Sequence, residues 1–338
     1  MKSLVDVARL AGVSKATASR ALNSTGYVSA ATRERVAQAA LQLGYVASTN
    51  AASLVTGRTR NVGVITPYIN RWFFAEVIDG IEEALLAAGY DLTLYRLRGD
   101  LAQQRRVFDY FLVRKRVDAV IAVGMELESA QMHSLTSLRK PLVGVGGELA
   151  GTTTVRIDDV AAATMATRHL LRLGHTRLLH LGGTLAGELP FGVHGKRLHG
   201  FRTAMAEAGL PERRGDFVAS RMTVEDGYDA AMHLLAAPDR PTAIVAASDE
   251  VAHSVILAAR ALDIAIPSQL SVVGVDDHPM SAVFGLTTVR QIPSEQGTLA
   301  VAIVLDLLGG AKTPEPLEIA IPLELIERTS TSPPTAGA

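Results

Sequence analysis

A short predicted helix, Lys15–Leu22, presents basic and hydroxyl side chains on one face. Ala18, Ala21 and Leu22 recur at helical spacing, so the opposite face carries the small and basic groups. Such a face is typical of a helix that enters the DNA major groove. An ordinary helical hairpin with a solvated face shows the same pattern. The outward residues are Lys15, Ala16, Thr17, Ser19 and Arg20, with Asn23 at the end of the helix.

The residues before this helix predict a second helix and a tight turn. Apolar residues fall at helical spacing from Leu4 to Ala11 and give a first helix one apolar face. Gly12 can adopt the left-handed conformation that ends a helix, and Ser14 is a good N-cap for the next one. Two helices joined in this way form a helix-turn-helix, which positions the basic face of residues 15–20.

Charge is divided unevenly along the 338 residues. Residues 1–60 hold eight Lys and Arg against two Asp and Glu, a charge of +6, so the remainder carries −7 within a formal net charge of −1. A basic head on an acidic body predicts a polyanionic partner for the head alone, with a merely solvated basic surface as the alternative. The apolar content of 48% is enough for two or three domains with large cores.

Composition also excludes several kinds of site. The chain has no cysteine, which excludes disulfides and thiolate metal sites, and we expect no cofactor or metal. No apolar run reaches the length of a membrane span, and the N-terminal pattern lacks the apolar core of a signal peptide. We therefore expect a cytoplasmic protein with no membrane partner. Residues 330–338, which include SPPTAGA, are predicted to be a disordered tail.

A third helix and a linker follow the helix pair. Ser29 and Gly44 suit the N-cap and the C-cap of a helix over residues 30–43. Residues 46–57 hold few large apolar groups, which indicates a linker with one or two helical turns. The N-terminal part is therefore predicted to be a headpiece, residues 1–46, and a hinge or linker, residues 47–59.

From residue 60 onward, buried-strand patterns alternate with helical patterns. NVGVITPY, DAVIAVG and PLVGVGG are examples of the strands, and a second, similar set begins at Ile157. This alternation predicts two doubly wound α/β lobes, with a ligand cleft between them at the carboxyl ends of the strands. Within the predicted core, residues 60–329, the N-lobe spans about 60–156 and 290–316, and the C-lobe about 157–289 and 317–329, with one last strand near 317–327.

Eight short motifs follow one another along the chain. They are DVARLAGVSKATASRALN, VSAATRERV, LGY and SLVTGRTRNVGVI, and then LGHTRLLHLGG, RLHGF, AASDEVA and SVVGVDD. Together they resemble the motifs of the lactose-repressor (LacI/GalR) family of transcriptional regulators, from residue 3 to about residue 329. The resemblance implies a three-helix headpiece, a hinge helix, a core of periplasmic-binding-protein type and the function of a DNA-binding repressor.

The same resemblance implies which residues contact DNA. Residues that match Lys15, Ala16 and Arg20 read base edges in the family, and Arg20 could donate two hydrogen bonds to a guanine. Leu54 matches the hinge leucine that wedges into a minor-groove step and kinks the DNA. Ala52 stands where the family usually has an arginine, which predicts a weaker affinity of the hinge for the minor groove. The residues that fit phosphate contacts are Ser14, Thr17, Ser19, Asn23, Ser29 and Arg33.

A ligand site in the cleft is also implied by the resemblance. Sugar sites bond hydroxyls with carboxylates and arginines and place aromatic faces against C–H surfaces. Arg197 would grip two hydroxyls, while Phe73 and Phe74 would lie at the mouth, with one of the two in the core. Arg71 and Trp72 replace the usual small residues and give an atypical rim. The other candidates are Met222 on the wall and Asp249 and Asp276 at strand ends.

These expectations combine into a ligand-controlled repressor. A sugar is the expected effector, and a nucleobase held between Phe73 and Phe74 is the main alternative. We expect a homodimer on a pseudo-palindromic double-stranded operator, because one helix-turn-helix reads half of a palindrome. Ligand binding would close the cleft and change operator affinity, with the sign left open.

Two other classes of function fit less well. A solute-binding protein for a transporter would explain two lobes but not a basic head. An enzyme could use Asp158 with Asp159, or Asp276 with Asp277, as paired carboxylates. Adjacent residues on an extended segment point to opposite faces, however, so neither pair can flank one bond. The chain is therefore not expected to be an enzyme.

Overall fold

The computed structural model describes residues 3–22, 26–45, 58–97, 106–107, 117–125, 127, 129–183, 192–210, 213, 215–311 and 317–335. The chain divides into two compact units. The N-terminal unit comprises residues 1–61 and 115–118, and the core unit comprises residues 62–114 and 119–338. Two predicted DNA contacts, Asn23 and Leu54, lie outside the described residues, as does most of the predicted hinge, residues 47–59.

The described part of the N-terminal unit contains three helices: α1 (Leu4–Leu10), α2 (Lys15–Leu22) and α3 (Ala30–Leu43). Local capping sets their ends. Ser3 and Asp6 form a capping box at the start of α1, and Ser29 caps α3 by accepting a hydrogen bond from the Thr32 amide. The helix-turn-helix and the third helix predicted from the sequence are therefore confirmed.

Small apolar residues fill the space among these three helices. Val7, Ala18 and Val36 are completely buried, one from each helix. Because alanine dominates this small core, the helices can approach closely with little side-chain volume between them. The full cluster is Val7, Ala8, Ala11, Ala18, Ala21, Val36, Ala39 and Ala40.

The core unit consists of strands and helices in alternation. Its described helices are α4 (Trp72–Ala87), α5 (Ser129–Ser137), α6 (Asp159–Arg172), α7 (Gly192–Glu207), α8 (Val224–Leu235), α9 (Asp249–Ala261), α10 (Pro279–Phe284) and α11 (Pro293–Leu308). The strands are β1 (Asn61–Thr66), β2 (Asp91–Arg96), β3 (Ala119–Val123), β4 (Leu142–Val145), β5 (Thr153–Arg156), β6 (Leu178–Leu181), β7 (Phe217–Val218), β8 (Ala243–Ala246), β9 (Ser271–Asp276), β10 (Thr287–Arg290), β11 (Glu318–Ala320) and β12 (Glu324–Ile326). No helix in the described ranges is long and apolar enough to cross a membrane.

Two six-stranded sheets form the two lobes. The N-lobe sheet has the order β11-β5-β4-β3-β1-β2, and the C-lobe sheet has the order β12-β10-β9-β8-β6-β7. The pairings described are parallel except for that of β12 with β10. Both sheets reverse their order beside their first strand, β1 or β6, which is where open α/β sheets bind ligands. The predicted pair of doubly wound lobes is confirmed.

Both faces of the C-lobe sheet are covered by helices, and successive side chains along its strands pack against one set of helices and then the other. On β8, Ile244 and Ala246 pack with helices α8 and α9, whereas Ala243 and Val245 pack with α6 and α7. Successive side chains of a strand point to opposite faces, so a strand buried on both sides reads as a continuous apolar run. This is why AIVA and SVVGV look like buried strands in the sequence.

Helices α4 and α11 pack against each other at two glycines on the N-lobe. A Cβ atom on Gly80 would overlap the carbonyl of Ser294, and one on Gly297 would overlap the carbonyl of Val77. The two backbones therefore lie closer than any side chain allows. Their apolar faces, which include Ile81 of α4, cover one face of the N-lobe sheet.

The end of the chain differs from its prediction in two ways. The last strand, predicted near 317–327, is two strands, because β11 pairs with β5 in the N-lobe whereas β12 pairs with β10 in the C-lobe. The lobe boundary near residue 317 therefore moves to the crossover at 321–323. Residues 330–335, assigned to a disordered tail, are bound instead: the Ser330 hydroxyl donates to the Val272 carbonyl at 2.6 Å. Polar groups of the C-lobe thus fix a segment that composition alone suggested was loose.

Candidate functional site

In the N-terminal unit, the predicted recognition face of α2 is exposed. Lys15, Ala16 and Arg20 are exposed, and Thr17 and Ser19 are partly buried. Ser14 accepts a hydrogen bond from the Thr17 amide at 3.0 Å, which satisfies the first turn of α2 and confirms the predicted N-cap. Ser29 and Arg33, at the start of α3, are also exposed.

One exposed aromatic residue near this face was not predicted. Gly26 takes a positive φ of 68° and lies so close to Arg20 that a Cβ on it would be 3.5 Å from the Arg20 Cδ. The next residue, Tyr27, is 96% exposed. The exposure of a single tyrosine in a turn cannot be predicted from the sequence, because helical periodicity applies only to residues within helices.

In the core unit, the carboxyl ends of the strands of both lobes surround a cleft of about 840 Å³, part of it open to solvent. The lobes meet at three crossovers, residues 157–158, 291–292 and 321–323. The lining residues of the N-lobe are Tyr68, Arg71, Trp72, Phe73, Phe74, Gly124, Gly146 and Gln296, with Ile157 and Gln291 in the crossovers. Those of the C-lobe are Asp159, Val193, His194, Arg197, Met222, Ser248, Glu250 and Asp276.

Five of the six predicted ligand residues line this cleft: Phe73, Phe74, Arg197, Met222 and Asp276. The sixth, Asp249, does not. Its side chain is completely buried and accepts from the Thr288 hydroxyl at 2.7 Å, the Ser281 hydroxyl at 2.6 Å and the His278 amide at 2.9 Å.

Because its oxygens are already bonded, the Asp249 carboxylate ties the loop after β9 and helix α10 to strand β10 instead of facing the cleft. Its neighbour Ser248 lines the cleft in its place and caps α9. The prediction that Asp249 binds the ligand is wrong in this structure. A carboxylate beside a strand end is recognisable in the sequence, whereas the direction of its side chain is not.

Arg197 lies at the centre of a buried polar network at the back of the cleft. Its Nε donates to the Asp159 carboxylate at 2.9 Å, and its Nη1 donates to the carbonyl of Ala247. Its Nη2 lies 4.0 Å from Asp276, and only 5% of the residue is exposed. Two of its nitrogens therefore donate to acceptors of the C-lobe, and the third lies near a carboxylate of the same lobe.

The network continues from Asp276 into the N-lobe. Gln291 donates to Asp276 Oδ1 at 2.6 Å, and Gln296, at the start of α11, donates to the Gln291 side chain at 3.0 Å. Gln291 lies in a crossover, so these bonds connect the two lobes at one of the segments about which they can move. A ligand that contacts Asp276 would act directly on this connection.

Two aspartates at the end of β9 have unusual backbone angles. Asp276 has φ of 140° and Asp277 has φ of 60°, both in a region that L residues rarely adopt. Asp277 is held in place by Arg290 at 2.7 Å and by Arg328 at 2.6 Å. Burial acts to raise the pKa of Asp277, but the hydrogen bonds from both arginines lower it below its ordinary value. The strained turn that aims Asp276 at the cleft is therefore anchored by an ionised neighbour.

Aromatic contacts close the mouth of the cleft. Trp72 of the N-lobe lies 5.2 Å from His278 of the C-lobe, measured between ring centroids. Arg71 lies 4.0 Å above the ring of Tyr68, a cation–π contact. Phe73 is partly buried and Phe74 lies in the core of the N-lobe, as predicted for one of the pair.

The pH dependence of stability offers a test of the buried carboxyl. Burial raises the pKa of Asp276 to about 7. In the unfolded chain its pKa is about 4, so above that pH the unfolded state releases a proton that the folded state keeps. The protonated Asp276 therefore contributes to the free energy of unfolding at low pH, and this contribution is lost as the pH rises to about 7.

We therefore expect the unfolding free energy of Asp276→Asn to fall less than that of the wild type between about pH 5 and pH 8. Urea melts at several pH values measure this. The buried histidines are common to both proteins, so the difference between the two curves reports on Asp276 together with Asp249, whose charge acts on it. Parallel curves would show that this carboxyl is ionised throughout.

Several lining residues were missed as ligand candidates. Asp159 was considered only as a possible catalytic pair with Asp158, which instead caps α6 through the Ala161 amide. His194, Glu250 and Gln291 gave no signal, because each lies in or near a crossover or a first helical turn. A search for polar residues in the first turns that follow strands would have found Glu250.

The comparisons with known proteins agree with this geometry. Residues 3–48 match the bacterial regulatory proteins of the lacI family, and residues 167–331 match the periplasmic binding protein-like domain. The chain is 33% identical to the HTH-type transcriptional regulator DegA of Bacillus subtilis, over 98% of each chain. It is 32% identical to the HTH-type transcriptional repressor PurR of Photobacterium profundum, over 90% of this chain and 92% of that one. The chain belongs to the LacI family.

Solved structures show the same fold. The lac repressor dimer bound to operator and the anti-inducer ONPF has a TM-score of 0.85 at 23% identity, covering 98% of this chain and 99% of that one. The cellobiose complex of the transcriptional regulator CelR has a TM-score of 0.71 at 27% identity, covering 98% and 100%. This LacI-family chain is a helix-turn-helix transcriptional regulator, a class of DNA-binding proteins.

Proposed function

We propose that this LacI-family regulator is a repressor whose affinity for a pseudo-palindromic operator is controlled by a small ligand in the cleft. The observation that carries the proposal is the cleft itself, built from strand ends of both lobes and connected across a crossover by Gln291. A ligand that changes the angle between the lobes makes different contacts in the two states, which is what coupling between two sites requires.

The N-terminal unit supplies the DNA contacts in this proposal. Lys15, Ala16 and Arg20 of α2 read base edges, while hydroxyl and basic groups such as Ser14 and Arg33 hold the phosphates. Their exposure supports these roles. The wedge function of Leu54 and the phosphate contact of Asn23 remain predictions from the family resemblance.

A homodimer is part of the proposal, because a two-fold operator requires two copies of α2 in two half-sites. Helix α10 supports it, since Val283 is 77% exposed and Met280 is 43% exposed on this six-residue helix. Apolar exposure of this kind is typical of a surface that a second copy covers.

A sugar is the effector that we propose, since the similar CelR structure is a complex with cellobiose. The alternative, a nucleobase between Phe73 and Phe74, loses its geometric basis. The two rings touch each other edge to face, 5.3 Å apart at 87°. No planar ring fits between two rings in that arrangement.

Selection of random double-stranded DNA on the purified protein tests the DNA half of the proposal. The wild type should enrich a two-fold sequence. Arg20→Ala should lose preference at one base pair in each half-site, about 1–3 kcal/mol of discrimination, while non-specific binding stays salt-dependent. Arg35→Ala, which removes an exposed charge from α3, is the matched control and should keep the full preference.

An unchanged consensus for Arg20→Ala would remove this residue from base readout, and enrichment of no sequence by the wild type would refute the proposed function. The selected operator then serves to measure binding with and without candidate sugars. A rise in affinity identifies a corepressor, and a fall identifies an inducer.

A further inference from the structure

The charges that line the cleft are unequal. Among the described lining residues, three carboxyl groups (Asp159, Glu250 and Asp276) outnumber two guanidinium groups (Arg71 and Arg197), although burial raises the pKa of Asp276 to about 7, so that this group carries only part of a charge at neutral pH. His194 adds no charge near neutral pH, because burial and then Arg197 and Arg71 lower its pKa to about 4. A cleft that selects anions would show the opposite balance, with basic groups in excess.

Each arginine is already engaged by a group of the protein. Arg197 is held by Asp159 and the Ala247 carbonyl, and turning it away would leave the buried Asp159 carboxylate without its charged partner. Arg71 is stacked on Tyr68, and its positive charge acts on Glu250, whose pKa burial raises and Arg71 lowers. Both positive charges therefore serve the protein's own groups.

The remaining polar groups are mostly acceptors. The Oε1 atom of Gln296 is buried in the lining without a hydrogen-bond partner, and the carboxylates of Glu250 and Asp276 also line the cleft. Acceptors of this kind suit a ligand that offers hydroxyl hydrogens. Trp72 contributes the opposite group, since its indole Nε1–H is a buried donor without a partner.

The aromatic wall complements these acceptors. Trp72, Phe73 and Tyr68 lie on or just before the first turn of α4, and most of the surface that lines the cleft is apolar. A ring with an apolar face can stack there while its hydroxyls reach the acceptors on the opposite side. Trp72 also contacts His278, so the indole position depends on the other lobe.

We infer that the cleft takes an uncharged, hydroxyl-bearing ring that stacks on Trp72, and that it rejects the phosphate monoesters of the same compounds. This inference rests on the proposed function and adds the charge of the ligand and the residue that contacts it. Trp72 is a specificity residue in this arrangement, and the Glu250 carboxylate, together with arginines that the protein's own groups already engage, supplies the discrimination against phosphate.

The test uses the full-length protein, in which Trp72 is the one tryptophan of the chain. Its fluorescence is followed while D-ribose, D-glucose, cellobiose and adenosine are added, each in parallel with its own phosphate monoester. We expect at least one neutral compound to change the emission to saturation. Its phosphate monoester should bind at least about tenfold more weakly.

Two variants separate the causes. Glu250→Gln should reduce the discrimination against the monoester, because it removes one negative charge from the lining. Trp72→Ala should lower the affinity for the neutral compound at least about tenfold, as measured in a thermal-shift titration, whereas Trp72→Phe should keep much of that affinity. Glu76→Gln, on a residue of α4 outside the lining, is the control and should alter neither quantity.

Tighter binding of a phosphate monoester would overturn the inference, as would saturation without any change in Trp72 emission. Binding of none of the neutral compounds at millimolar concentration would overturn it too. The proposed function is judged separately, because selection of an operator by the N-terminal unit does not depend on these compounds.

Discussion

Arg197→Met is expected to cost about 3–5 kcal/mol of stability. The guanidinium neutralises Asp159 and Asp276 at the back of the cleft, where all three side chains are buried. Methionine has a similar length but no charge, so two carboxyl groups would lose their common partner in a medium that solvates charge poorly. Because Arg197 lowers the pKa of Asp276, that pKa should rise further in the variant, and the loss of stability should grow with pH.

The neighbouring residue provides a matched control for this substitution. Lys196 lies on the same helix and pairs with Glu148 at 2.9 Å, but the Glu148 side chain is 61% exposed. Lys196→Met should therefore cost no more than about 1 kcal/mol. Chemical denaturation of both variants measures the contrast. Equal costs for the two would mean that the buried network contributes no more than a surface ion pair.

The same glycine-to-alanine change is expected to act in opposite directions at two helical sites. At Gly80 of α4, the added methyl would overlap the backbone of Ser294, which cannot move without separating α4 from α11. We expect Gly80→Ala to cost more than about 3 kcal/mol, in the range of severe core substitutions.

Gly195 of α7 is the control, because no atom of the described residues outside its own chain neighbours and helix backbone lies within 4 Å of the position of its Cβ. Gly195→Ala should stabilise the protein by up to about 1 kcal/mol, since alanine favours the helix and glycine does not. Thermal melts of the two variants should shift in opposite directions. A Gly80→Ala protein as stable as the wild type would show that α4 and α11 can separate at little cost.

The predictions from sequence succeeded where structure is local. The limits of α2 and α3 follow from spacing and from caps at Ser14, Ser29 and Gly44, which lie within a few residues of the helices they end. The two lobes also followed from local patterns, because each buried strand is a short apolar run between turn residues.

Predictions failed where the deciding partner lies far along the chain. The Asp249 carboxylate accepts hydrogen bonds from the hydroxyls of Ser281 and Thr288, and no rule of sequence spacing connects these residues to it. The short runs β11 and β12 are only three residues each, so sequence gave no reason to divide them between two sheets. The bound segment at 330–335 likewise depends on groups such as Val272, more than fifty residues earlier.

The interleaving of the lobes has a consequence for synthesis on the ribosome. The helices of the N-terminal unit come from one stretch ending at Leu43, so they can form as soon as that stretch emerges. The N-lobe must wait for α11 and β11, which begin 137 and 162 residues after the end of β5, once β6 to β10 of the C-lobe have already been made. Until then, the face of α4 that includes Ile81 has no partner from α11. A nascent chain of this regulator therefore carries its helix-turn-helix and third helix well before it carries a finished cleft.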